Sequence, residues 1–96
     1  MNHKYEKAVG QRIRQFRELR DLTQEQVSAK LQTMGCDITR SALAKIEVGQ
    51  RHIYLDELKR LAEILGVTYE TLLMFIMTPL VYASIQRRKR ERRGVR

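Results

Sequence analysis

Ninety-six residues make one small domain, since domains commonly run to about 100–150 residues. A chain this short buries only about 60–65% of the surface its unfolded form exposes, which argues against a deep enclosed active site and excludes a large enzyme or a multidomain receptor. Nineteen Lys and Arg against eleven Asp and Glu give +8, favouring a polyanionic partner, and the single cysteine, Cys36, excludes an internal disulfide and points to a reducing compartment, the cytoplasm.

The opening MNHKYEK has no apolar signal core, so no secretory peptide is expected. Tyr5, Val9, Ile13 and Phe16 then recur at helical spacing, predicting a first helix that ends near Arg20. Gly10 inside it lowers helix propensity by about 1 kcal/mol relative to Ala, or marks a close helix contact. Thr23-Gln24-Glu25-Gln26 is a capping box, so a second helix starts at Gln24, turns Val27 and Leu31 inward and fades near Met34-Gly35. Thr39 caps a third helix, Arg40 to about Val48, with Leu43 and Ile46 inward and Gly49 as its stop. A fourth runs from Leu55 to Leu65, with Leu55, Leu58, Leu61, Ala62 and Leu65 as its apolar face and Gly66 ending it. Thr68 caps a fifth helix through Leu72, Leu73 and Ile76. Short helices with short connections predict an all-α bundle.

Residues 72–85 (LLMFIMTPLVYASI) are mostly apolar but too few to span a bilayer, which takes about 20. Pro79 after Thr78 reads either as the start of a sixth helix or as a kink in a continuous one. Such a surface is extra core or a subunit interface, and dimerisation is the favoured expectation. Residues 87–96 carry seven basic residues against Glu91, a net +6 of the chain's +8, so residues 1–86 hold only +2. This block fits nucleic acid or anionic lipid ahead of its bland alternative, a solubilising tail.

The order from Leu22 to Leu73 is informative: a capped helix, a turn, a second capped helix, Ile46-Glu47-Val48-Gly49, a basic Gln50-Arg51, then an amphipathic helix. Leu22-Thr23-Gln24-Glu25, Arg40 to Gly49 and Leu58 to Leu73 together resemble the Cro/cI-type (Xre-type) helix-turn-helix family of DNA-binding regulators. The resemblance implies a compact five-helix, lambda-repressor-like domain over residues 9–73, with motif helices at about 24–34 and 40–48. Residues 1–8 then extend the first helix, and 74–96 form an apolar segment with a basic tail.

Arg40, Ser41, Ala44 and Lys45 share the outer side of the third helix, a short face that can enter a major groove about 12 Å wide. The resemblance makes these four the base readers. Arg40 or Lys45 suits guanine O6/N7, Ser41 a base or a phosphate, and Ala44 at most a thymine methyl. Without the surrounding motifs, such a face reads only as solvated surface. Phosphate contacts are expected from Thr23, Gln24 and Thr39 at helix N-termini, and from Gln50 and Arg51 after the third helix. The resemblance also implies an Arg17–Glu47 ion pair, partly buried, locking the first helix to the third.

Three features depart from the family pattern. The connection Gln32 to Ile38 is several residues longer than usual, Asp21 replaces the usual glycine after the first helix, and Tyr54 stands where a Ser-like cap belongs. His3, His52 and Cys36 are scattered without zinc-ligand spacing, and no catalytic triad or phosphate-cradling glycine loop is present. The expectation is a non-enzymatic, cofactor-free, sequence-specific regulator of double-stranded DNA, a repressor acting as a homodimer. Its competitor is an antitoxin or other interaction module whose residues 74–96 grip a partner protein.

Overall fold

In a computed structural model, which describes residues 3–73 with side chains from Tyr5 onward, the chain forms five helices and no strand among the described residues. They are α1 (His3–Leu19), α2 (Gln24–Thr33), α3 (Arg40–Glu47), α4 (Leu55–Leu65) and α5 (Tyr69–Leu73). The expected sixth helix, Ile76, Pro79 and the basic block 87–96 lie outside the described residues.

One core joins all five helices. Val9, Ile13 and Phe16 of α1 pack with Val27 and Leu31 of α2, Leu43 and Ile46 of α3, Leu58, Leu61 and Leu65 of α4, and Leu72 of α5. Leu55 departs from the expected apolar face. It is 58% exposed, because it opens α4 at the molecular edge, one turn before the first leucine that reaches the core.

The helix ends follow from local chemistry. The Thr23 hydroxyl accepts from the Gln26 N–H at 3.0 Å while the Gln26 side chain accepts from the Thr23 N–H at 2.8 Å, closing the capping box. Thr39 caps α3 by accepting from the Ala42 N–H at 3.1 Å, and Thr68 accepts from the Thr71 N–H at 3.2 Å. Asp21 takes φ 57°, a left-handed position that Asp tolerates better than most residues. The first motif helix runs through Thr33, two residues into the long connection. Gly35 at φ 77° reverses the chain, the Cys36 N–H returns to the Leu31 carbonyl at 2.9 Å, and Ile38 is fully buried. The buried Ser28 hydroxyl then donates to the Ile38 carbonyl at 2.7 Å. Burial, and next the nearby carboxylates of Glu57 and Asp56, push the Cys36 thiol above its ordinary pKa, against the thiolate a redox sensor needs.

Two arginines that the sequence pattern does not single out tie the bundle together. Arg12, buried, donates to the Leu72 carbonyl at 3.1 Å, and burial holds its guanidinium below the usual range. Arg20 donates to the Leu65 carbonyl at 2.8 Å, satisfying an orphan carbonyl at the end of α4.

Tyr54 makes no side-chain cap on α4, as its position predicts. Glu57 compensates by accepting from the Tyr54 N–H at 3.1 Å and from Arg51 at 3.0 and 3.2 Å. Burial pushes the Glu57 carboxyl up, but Arg51 and the Tyr54 N–H outweigh it, so it sits below the ordinary glutamate value. A lowered folded-state pKa gives stability that is complete above the unfolded value of about 4.3 and lost as pH falls through the lower folded value. Glu57→Gln is therefore expected to be less stable than wild type at neutral pH, with the gap closing below about pH 4. Urea unfolding across that range checks it; a gap constant down to pH 3 contradicts the account.

Candidate nucleic-acid interface

The site is built on α3. Leu43, Ile46 and Glu47 are buried, which fixes the helix's rotation and leaves Arg40, Ser41 and Lys45 exposed, with Ala44 half-buried between them. An open groove of about 850 Å³ runs along this side, with Arg14, Thr23, Gln24, Arg40, Ala44 and Val48 in its lining. The structure thus brings Thr23, Gln24, Arg40 and Ala44 to one groove. Ser41 and Lys45 face solvent outside its lining, as do Thr39 and Gln50.

Arg17 and Glu47 also line the groove and anchor it. Arg17 Nε donates to Glu47 Oε2 at 2.7 Å and Nη2 to Glu47 Oε1 at 3.0 Å, a bidentate pair whose side chains are only 11% and 2% exposed. Arg17 Nη1 reaches the Leu22 carbonyl at 2.8 Å, so one side chain connects α1, the entry to α2 and the end of α3. The hydrogen bond with Glu47 raises the Arg17 pKa further, outweighing desolvation. Its charge is permanent.

Gln24 adds a third donor, its Nε2 reaching Glu47 Oε1 at 3.0 Å. The carboxylate accepts only, so the amide nitrogen must face Glu47. Gln24, expected as a phosphate contact, therefore also helps set the angle between the two motif helices. The sequence pattern alone does not reveal this second role; the signal that could point to it is an amide two residues after Leu22.

The caps keep their ligand potential, because a hydroxyl that accepts one backbone bond still has a proton to donate. That applies to both Thr23 and Thr39. Glu57 and the His52 carbonyl at 2.9 Å engage the Arg51 guanidinium, because the neighbouring turn places a carboxylate within bidentate reach. His52 pairs through Nδ1 with the Glu6 carboxylate and meets the Tyr54 ring edge-on at 4.8 Å. Among the described residues no group of three His, Cys, Asp or Glu is placed to hold a metal, and no helix is long and apolar enough to cross a membrane.

Two helices joined by a turn that the buried Ile38 pins to the core, the second presenting an exposed polar face beside an open groove, define a helix-turn-helix module. Residues 13–72 match the helix-turn-helix family, and the chain belongs to it, as a Cro/cI-type DNA-binding transcriptional regulator. It is similar to Control protein C.BamHI of Bacillus amyloliquefaciens, 33% identical over 66 residues that cover 69% of this chain and 76% of that relative. No solved structure matches the chain significantly.

Proposed function

We propose that the protein is a sequence-specific repressor that occupies its operator as a homodimer, with residues 9–73 as the DNA-binding unit and 74–96 as an appended segment. The carrying observation is the division of α3 into a buried Leu43/Ile46/Glu47 side and an exposed Arg40/Ser41/Lys45 side. In this reading Arg40 and Lys45 address guanine O6/N7, Ser41 a base or phosphate, and Ala44 a thymine methyl. Thr23, Gln24, Thr39 and Gln50 hold phosphates. Arg51 stands further from that role, since Glu57 already shares its charge. The relative's designation as a control protein supports a regulatory reading. The protein works in the cytoplasm and carries out no catalytic step, acting by obstruction.

A dimer sets its two recognition helices about 34–36 Å apart on one duplex face. Footprinting is then expected to show two protected patches centred one helical turn apart. The net +6 of residues 87–96 adds sequence-independent attraction to phosphate. Removing those ten residues flattens the dependence of log K on log salt by about 0.9 for each phosphate that the tail neutralises, and leaves site preference unchanged. A single protected patch contradicts the dimer. A salt slope unchanged by truncation removes the tail from the interface.

A further inference from the structure

The helix-turn-helix match begins at residue 13, so the opening turns of α1 lie outside it. They are nevertheless fastened to the turn that follows α3. Glu6 pairs with His52, and the next residue, Lys7, lies on Gly49. A Cβ built on Gly49 would stand 2.8 Å from Lys7 Cα and Cβ and 3.1 Å from Cγ, so a glycine is what lets the two segments touch here. Gly49 is buried at this contact, whereas Lys7 is exposed.

Ser41, Lys45 and Gly49 follow one another at i, i+4 and i+8, so Gly49 continues, just past the helix end, the row that presents Ser41 and Lys45. The Gln50 N–H returns to the Lys45 carbonyl at 2.8 Å, which folds the turn back against that end of α3. The Lys7 stem therefore meets the third helix at the foot of its exposed face. Among the described residues the ion pairs engage Arg14, Arg17, Arg51 and His52. Neither Lys7 nor Lys45 has an acidic partner among them, and Glu6, the acid beside Lys7, is taken by His52.

We propose that Lys7 holds a phosphate of the duplex beside the bases that α3 reads, which makes the start of α1 a further part of the DNA-binding surface. This contact presupposes the operator binding proposed for α3. A compact ammonium on a flexible stem suits a single phosphate, and packing on Gly49 fixes where that stem begins. Its contribution is affinity and register, not sequence.

Ethylation interference and salt titration of the full chain, on a duplex that wild type selects from random sequence, test this. Lys7→Gln is expected to lose interference at one phosphate in each half-site. It also flattens log K against log salt by about 0.9, with the preferred sequence unchanged. Lys7→Arg, which keeps the charge, retains both properties. A Lys7→Gln protein with the wild-type pattern and slope overturns the contact while leaving sequence-specific binding standing. Lys7→Arg failing as completely as Lys7→Gln also overturns it, since packing on Gly49 and not charge would then be at work. So does a changed base preference, which would make Lys7 a base reader. If wild type selects no sequence at all, the operator reading falls and this contact falls with it.

Discussion

Arg17→Met is expected to lower stability by about 3–5 kcal/mol, the range for removing one partner of a buried ion pair. The cost arises on the side left behind. Glu47, 2% exposed, keeps only the Gln24 amide as a side-chain donor, and the Leu22 carbonyl loses its guanidinium bond. Glu47→Leu strands the opposite charge but is milder, because Arg17 is a little more exposed and retains Leu22. The double variant Arg17→Met/Glu47→Leu is expected to lose much less than the sum of the two, since no uncompensated charge remains. Urea unfolding of the four proteins measures this; guanidinium chloride is avoided because it screens the charges under test. If Arg17→Met costs no more than the surface change Glu63→Gln, the pair does not hold α1 to α3.

Gly10→Ala tests the same junction by shape. On helix propensity alone the change gains about 1 kcal/mol, because alanine is the better helix former. The structure reverses that sign. A Cβ at Gly10 would lie 2.1 Å from the Ile46 carbonyl oxygen and 3.1 Å from the Glu47 carbonyl carbon and oxygen, all backbone atoms that cannot rotate away. Either α3 moves off α1 or the variant unfolds more easily, at a cost of about 1–3 kcal/mol or more. Because the displaced helix is the one carrying Arg40, specific DNA binding falls further than the drop in stability explains. A more stable Gly10→Ala protein with intact binding contradicts this packing.

The parts of the fold governed by short-range chemistry were legible in the sequence. Thr23 and Gln26 specify a helix start whatever surrounds them, and the Leu58/Leu61/Leu65 spacing states which side of α4 is buried. Gly10 was legible as an anomaly whose two explanations only coordinates separate. Leu55 misled because its periodicity is sound while the core ends one turn short of it. The long turn was illegible for a different reason. Nothing local says that Ser28 will hold the Ile38 carbonyl, a hydrogen bond across ten residues that depends on the packed fold. Likewise Arg12 and Arg20 look like surface charges on an amphipathic helix, and their targets are carbonyls 60 and 45 residues away. At the site, the pairing of Arg51 with a carboxylate six residues on was likewise illegible, because it depends on how the turn before α4 folds.

A binding selection from random duplexes at fixed salt, run with wild type and with Arg40→Ala, tests the central claim most directly. Direct readout by the exposed side of α3 predicts that Arg40→Ala loses preference at one or two positions, by about 1–3 kcal/mol each, while preferences elsewhere survive. Equal weakening on every sequence, with the preferred site unchanged, would reduce Arg40 to a backbone contact and contradict the account.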